Sequence, residues 1–178
     1  MTDTWPPPEV DHLLTQLPGR YERCPANEDF AREQVERVVD SECQQVMFAA
    51  HRGDWAKANT DAYDGARKCI EMLLLAHGWR VRTEPGAHVA TVNVVSAWLK
   101  RQEPPAPRLA KAFSASRKAR NAAEYPDARE RPESITALRG YAMDNVRLIN
   151  LVRVRLGLAP RDDLVPSTDN VAAWRKML

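Results

Sequence analysis

Apolar residues recur at intervals of three and four positions over most of this 178-residue chain, and that spacing predicts helices. Asn27 and Asp54 precede two periodic segments as N-caps, and Gly53, Gly78 and Gly157 follow three of them as C-terminal glycines. The periodic segments, which we take as helices, cover about residues 27–51, 54–77, 109–125 and 134–157. Short loops between antiparallel neighbours predict an all-α protein, an up-and-down bundle of four to five helices.

The segment 88–99 is compatible with either a strand or a helix. It is rich in β-branched residues, which favours a strand. Val92, Val95 and Leu99 nevertheless lie at helical spacing, and no second strand is visible to pair with this segment.

Proline-rich stretches mark the predicted parts of the chain. Residues 1–26 hold five prolines and are expected to form an N-terminal arm with one or two helical turns. Residues 27–157 are expected to form the helical domain, in which residues 102–108 are a linker. Residues 158–178 are a mostly polar C-terminal tail, expected to be a loose arm.

Charge is unevenly distributed, although the formal net charge is only +2. Residues 1–99 carry 10 Lys or Arg against 15 Asp or Glu, whereas residues 100–131 carry 9 against 4. The basic segment is suited to a phosphate backbone. It is equally suited to packing against the acidic first half, in the same chain or in a second copy.

The sequence lacks the patterns of metal, cofactor and membrane sites. None of the four histidines has a partner at metal-ligand spacing, and no glycine-rich nucleotide loop is present. The three cysteines, without Cys-x-x-Cys spacing, are expected to be reduced core residues. No apolar run approaches the roughly 18 residues of a membrane span, and the N-terminus lacks signal-peptide features. We therefore expect a cytoplasmic protein with no metal, no cofactor and no membrane contact.

One arginine stands on a stripe of otherwise apolar or small residues ahead of Pro126, which is expected to end the helix. An arginine is almost never fully buried without a partner. Arg120 can pair with Glu124, one turn along the same face, or open with Asn121 and Tyr125 onto a cleft between helices. The stripe consists of Leu109, Ala112, Phe113, Ser116, Ala119, Arg120 and Ala123.

The segment Arg120-Asn121-Ala-Ala-Glu-Tyr125 resembles the arginine motif of HEPN domains (higher eukaryote and prokaryote nucleotide-binding). That motif reads arginine, a polar residue often Asn, three residues and then histidine. Two further segments are similar to the family's long second helix and to the opening of its third, namely Ala62–Gly78 and Gly86–His88. The resemblance covers about residues 28–157 through order and spacing, and it favours a helix over 88–99.

The resemblance implies an RNA-directed function. In HEPN nucleases two monomers share a cleft, where the arginine holds the scissile phosphate, the polar residue orients it and the histidine moves a proton at the ribose 2′-hydroxyl. The catalytic positions that it implies are Arg120, Asn121 and Tyr125, and the RNA-binding positions are Arg117, Lys118, Arg120 and His88. The implied protein is a homodimer that binds RNA or a nucleotide, as a metal-independent endoribonuclease of a bacterial conflict or toxin–antitoxin system. Its implied protein partner is an antitoxin or a nucleotidyltransferase.

The chain departs from the family at the catalytic histidine, where it has Tyr125. The pKa of an unperturbed tyrosine is about 10 against about 6.5 for histidine, so roughly one tyrosine in a thousand is ionised at pH 7. Tyrosine is therefore a weak general base. Three interpretations stay open: a nuclease, a non-catalytic module that dimerises and binds a partner protein, and a bundle in which Arg120 and Glu124 are only structural.

Overall fold

The computed structural model describes residues 5–83, 87–124, 133–167 and 169–170, with the backbone alone at 123–124. The all-α bundle predicted from the sequence is confirmed, since helices make up most of the described chain. The α-helices are α1 (Pro8–Gln16), α2 (Glu28–Val38), α3 (Gln44–His51), α4 (Trp55–Ala76), α5 (Ala87–Leu99), α6 (Ala106–Glu124) and α7 (Ile135–Arg155). A π-helical turn (Val39–Cys43) joins α2 to α3, and a 3₁₀ turn (Asp162–Leu164) follows α7.

Most helix positions agree with the sequence, and two differ. The helix predicted over 27–51 corresponds to α2, the π-helical turn and α3, which follow one another without a break. The segment 88–99, for which the sequence allowed a strand or a helix, is helical. The segment before residue 27 adds α1, so the structure has more helices than the four to five predicted. In addition, α6 begins at Ala106 inside the predicted linker, because Pro107 lies in the first turn, where a helix has no use for its missing N–H.

Local sequence signals account for where the helices begin and end. The side chains of Asn27, Asp54 and Ser134 each accept a hydrogen bond from a backbone N–H three residues on, at 3.0–3.1 Å. Gly78 and Gly157 follow the ends of α4 and α7 with φ of 76° and 72°, a left-handed conformation that glycine adopts without strain.

A two-stranded antiparallel sheet, which the sequence did not predict, pairs the segment before α2 with the segment after α4. Strands β1 (Tyr21–Arg23) and β2 (Trp79–Val81) pair over three residues, with Arg23 opposite Trp79. The guanidinium of Arg23 lies 3.9 Å from the Trp79 ring, a cation–π contact across the strands. The buried Tyr21 hydroxyl donates to the Ala90 carbonyl at 2.8 Å, which fastens the sheet to α5.

Helix α4 is the centre of the bundle and packs against α2, α3, α6 and α7. Its buried face includes Cys69, Ile70, Leu73 and Leu74, all fully buried. Gly65 lies where α2 and α7 cross α4, and a Cβ there would come within 3.2–3.4 Å of side-chain atoms of three neighbouring residues. The absent side chain at this glycine therefore sets how closely the helices approach.

The start of the C-terminal tail is packed against α7, although the sequence predicts a loose arm from residue 158. Arg153, only 3% exposed, donates to the Ala159 carbonyl at 2.7 Å and binds both carboxylate oxygens of Glu36 at 2.9 and 3.0 Å. Leu164 and Val165 are buried against the core. One buried arginine thus links α7, α2 and residues 158–167, while residues 171–178 of the predicted tail lie outside the described part of the chain.

The described helices show no stretch that is both long and apolar enough to cross a bilayer. Cys43 and Cys69 are buried and unbonded, as expected of reduced core residues, and Cys24 is partly exposed. Burial raises the pKa of the Cys43 thiol to about 12, which keeps it protonated and unreactive near neutral pH.

Candidate functional site

The arginines of α6 that the sequence indicated as site residues lie on the face that packs against α4. Phe113, Arg117 and Arg120 share one face of α6, since they are spaced by four and three residues. The Arg120 side chain is 19% exposed, and its Nε donates to Asp64 Oδ2 of α4 at 3.2 Å. This pair crosses between helices, whereas the alternative partner Glu124 has a side chain outside the described part of the structure. Part of the positive charge of residues 100–131 is thus matched by the acidic first half of the same chain.

The carboxylate that holds Arg120 belongs to a row of alternating charges along α4. Arg67 lies between two acidic residues, with its Nε 3.8 Å from Asp64 Oδ1 and its Nη1 2.8 Å from Glu71 Oε1. These three side chains are between 22% and 28% exposed. Because each arginine is restrained by a carboxylate, both guanidinium groups are held in position rather than moving freely in solvent.

Arg117 brings a third guanidinium to the same place. Its Nε is buried and has no hydrogen-bond acceptor among the described residues. A buried donor left without an acceptor costs about 1–3 kcal/mol. The positive charge of Arg117 acts to lower the pKa of Tyr63, as do those of Arg67 and Arg120. We call Asp64, Arg67, Glu71, Arg117 and Arg120 the arginine cluster; it has three cationic and two anionic groups.

A histidine from a third helix borders the arginine cluster. His88 is the second residue of α5, and its Nδ1 lies 3.3 Å from the hydroxyl of Tyr63 on α4. The two rings are stacked, with centroids 6.2 Å apart and planes 19° from parallel. Tyr63 is fully buried and packs on Phe113 of α6, with ring centroids 4.9 Å apart. The imidazole is therefore positioned by a side chain of the core.

The surroundings of this histidine and tyrosine keep both groups neutral near pH 7. The pKa of Tyr63 is raised to about 12, chiefly by burial. The pKa of His88 is lowered from 6.5 by partial burial and then by the charges of Arg67 and Arg120, against which Asp64 and Glu71 act more weakly. The His88 imidazole is thus in the state that accepts a proton.

Two of the remaining predicted site residues, Lys118 and Asn121, lie away from the arginine cluster. Lys118 and Asn121 are both exposed, and their three-residue spacing places them together on a different face of α6 from Arg117 and Arg120. Within the described residues no hydrogen bond or ion pair joins either of them to the arginine cluster. Tyr125, the predicted third catalytic position, lies outside the described residues.

Sequence reasoning missed the contribution of α4 to this site. The sequence analysis placed none of Tyr63, Asp64, Arg67 and Glu71 at the candidate site. Their spacing of three and four residues along the central helix was the available signal, since it puts three charges on one face of a helix that is otherwise largely buried. No local pattern shows that this face meets Arg120.

The described side chains do not include a group of three or more His, Cys, Asp or Glu arranged to hold a metal ion. The chemistry available at the arginine cluster is therefore the recognition of an anion by guanidinium groups, with a neutral imidazole beside them.

Comparisons of the chain with protein-family models, with curated proteins and with solved structures found no match.

Proposed function

We propose that the chain is a HEPN-like protein that binds RNA or a nucleotide through phosphate groups at the arginine cluster. The observation that carries the proposal is that Arg120, the motif arginine, and Arg67 both lie against Asp64, with Arg117 on the same face of α6 as Arg120. Guanidinium groups suit phosphate because their planar donors bind two oxygens at once. Restraint by Asp64 and Glu71 lowers the conformational entropy that an arginine loses when it binds a ligand.

The resemblance supplies the biological setting of this proposal. In a bacterial conflict or toxin–antitoxin system, the bound molecule would be a cellular RNA and the protein partner an antitoxin or a nucleotidyltransferase. Pull-down of the protein from cells that express its neighbouring genes, followed by identification of the bound protein, tests this setting separately from RNA binding.

We expect RNA binding to weaken steeply with salt. If three arginines of the arginine cluster neutralise phosphates of a single strand, the affinity should fall about 20-fold between 50 and 200 mM salt, a logarithmic slope of about −2. Arg117→Ala and Arg120→Ala should each reduce the slope by about 0.7, because each removes one phosphate contact. Fluorescence anisotropy with a mixed single-stranded RNA pool in EDTA measures both quantities.

A matched control separates a site from overall charge. Arg37 on α2 is exposed and paired with Glu33, so Arg37→Ala removes the same charge away from the arginine cluster. The Arg37→Ala variant should keep the wild-type affinity and slope. Equal losses in all three variants, or no binding to any RNA at low salt, would contradict the proposal.

A second candidate function is a homodimeric interaction module, favoured by a groove of about 340 Å³ between α6 and α7. Small residues from both helices line it, among them Ala112, Ala115, Ala137 and Gly140, and a Cβ at Gly140 would meet no atom within 4 Å. Small side chains leave room for the close approach of another helix.

We expect the wild-type protein to be a dimer at micromolar concentration. Ala115→Trp would fill the groove with an indole and should shift the protein to a monomer, which light scattering detects directly. The variant should keep the wild-type circular dichroism spectrum, because Ala115 is partly exposed. A monomeric wild type would count against the dimer, and a dimeric Ala115→Trp variant would place the interface elsewhere.

A further inference from the structure

A pocket of about 370 Å³ lies where α3 ends and α4 begins. Both helices and the turn between them line it, with Phe48, Ala49 and Arg52 before the turn and Asp54, Lys57 and Asp61 after it. Small-molecule sites in proteins have volumes of about 300–1,000 Å³. None of these residues belongs to the arginine cluster, so the pocket is a separate feature of the protein.

Asp61 gives this pocket a buried carboxylate of which only one oxygen is paired. The residue is 6% exposed, and its Oδ1 accepts a hydrogen bond from the ammonium group of Lys57, one turn earlier on α4. Oδ2 is also buried, and no hydrogen-bond donor among the described residues reaches it. Burial raises the pKa of the Asp61 carboxyl, whereas the hydrogen bond from Lys57 acts to lower it. A donor on a bound ligand would satisfy Oδ2 and so remove a cost of leaving it unpaired.

The α3 side of the pocket offers a cation and apolar surface. Phe48 is 46% exposed, and the guanidinium carbon of Arg52 lies 5.6 Å from the centroid of its ring. Arg52 is exposed and forms no ion pair with a carboxylate of the described residues. A guanidinium group is suited to a carboxylate, because its planar donors bind both oxygens at once. The Phe48 ring and the Ala49 methyl group provide the apolar surface.

The charges of the pocket balance, which limits the ligands that suit it. Arg52 and Lys57 carry two positive charges, and Asp54 and Asp61 carry two negative ones. Asp54 is already used, since its Oδ1 accepts the backbone N–H of Lys57 as the N-cap of α4. A ligand with one positive and one negative group keeps this balance. A free α-amino acid has both groups on one carbon atom, and an apolar side chain would cover the surface of Phe48 and Ala49.

We propose that the pocket between α3 and α4 binds a free α-amino acid with an apolar side chain, whose ammonium group donates to Asp61 Oδ2 and whose carboxylate binds Arg52. This site is independent of RNA binding at the arginine cluster, because the two share no residue. Either proposal can therefore fail without the other.

A structural role for Asp61 predicts a different result. If a water molecule alone satisfies Oδ2, the carboxylate only fastens Lys57 to α4. Asp61→Asn then changes the free energy of unfolding, and no amino acid binds. The test must therefore measure ligand binding and stability on the same variants.

The first measurement is titration calorimetry of the whole chain with L-phenylalanine and with L-leucine. Both are expected to bind. N-acetyl-L-phenylalanine lacks the ammonium group, and 2-phenylethylamine lacks the carboxylate. Each should bind at least about ten-fold more weakly than L-phenylalanine, because each loses one charge-assisted hydrogen bond.

The second measurement assigns the binding to this pocket. Asp61→Asn keeps the size of the side chain and removes its charge, so it should weaken L-phenylalanine binding about ten-fold or more. Arg52→Ala changes an exposed residue, is expected to leave the fold intact and should weaken binding several-fold. Asp11→Asn removes the same charge as Asp61→Asn from an exposed position on α1, which takes no part in the pocket, so it should bind as wild type does.

Each remaining outcome would overturn the proposal. No heat of binding up to about 10 mM, where a millimolar site would be nearly filled, would show that the pocket takes no amino acid. Equal affinity for L-phenylalanine and its N-acetyl form, or wild-type affinity in both Asp61→Asn and Arg52→Ala, would show that these groups do not recognise the ligand. Binding of adenosine 5′-monophosphate but of neither amino acid, lost in Asp61→Asn, would assign the pocket to a nucleotide instead.

Discussion

Replacing Phe113 with alanine is expected to lower the free energy of unfolding by about 3–5 kcal/mol, the range observed for large aromatic residues of a close-packed core. Phe113 is fully buried on α6 and packs on Tyr63 of α4. The deletion would remove apolar contacts of the ring and leave a cavity between two helices that cannot close without moving the site. Urea denaturation followed by circular dichroism measures the loss.

A second substitution at Phe113 serves as the control. Phe113→Leu keeps most of the apolar volume, so it should lower the free energy of unfolding by only about 1 kcal/mol, much less than Phe113→Ala. In the alanine variant Tyr63 loses its ring partner, so we expect weaker positioning of His88 at temperatures where the variant is still folded. A loss below about 1 kcal/mol in Phe113→Ala would contradict the close packing of α6 on α4.

Gly65→Leu is expected to destabilise the bundle by about 3 kcal/mol or more, at the upper end of the range for overpacked cores. Already the Cβ would lie 3.2 Å from Glu42 Cβ, 3.3 Å from Ile149 Cδ1 and 3.4 Å from Val38 Cγ1. Leucine favours a helix by nearly 1 kcal/mol over glycine, so any loss of stability must come from crowding. Thermal and urea unfolding of the variant measure it.

Gly140 provides the matched control for Gly65. It also lies inside a helix, α7, but a Cβ there would meet nothing within 4 Å. In the monomer, where no second helix occupies the groove between α6 and α7, Gly140→Ala should therefore raise the free energy of unfolding by about 0.5–1 kcal/mol, the helix-propensity difference. If Gly65→Leu were as stable as wild type, the helices around α4 would not approach as closely as the structure shows.

The helices could be predicted because their signals are local. Periodic apolar residues, the caps Asn27 and Asp54, and the terminal glycines Gly78 and Gly157 act within one or two turns of the chain, so each can be recognised without knowledge of the fold. Two predictions failed, the linker over residues 102–108 and the loose arm from residue 158. In α6 Pro107 lies in the first turn of the helix, where proline is tolerated, so it does not mark the irregular chain that the local composition suggested. Residues 158–167 pack through Arg153, Leu164 and Val165, contacts that no local pattern shows.

The β-sheet and the site could not be predicted because they depend on distant contacts. Strands of three residues carry too little pattern to be recognised, and β1 and β2 are separated in the sequence by α2, the π-helical turn, α3 and α4. In the same way, Tyr63 reaches His88 and Asp64 reaches Arg120 only because α4, α5 and α6 pack together. Residue types and spacing along one helix contain no information about which face of another helix they meet.

The sequence by itself determined an all-α bundle, its main helix boundaries and the position of Arg120 as a charge on an otherwise apolar or small stripe. Only the tertiary structure decided which groups surround that charge. Helical spacing offered Glu124, four residues away, whereas the described ion pair is with Asp64, 56 residues away. The physical reason is that a partly buried arginine must be paired, and the crossing of α6 over α4 brings Asp64 within its reach.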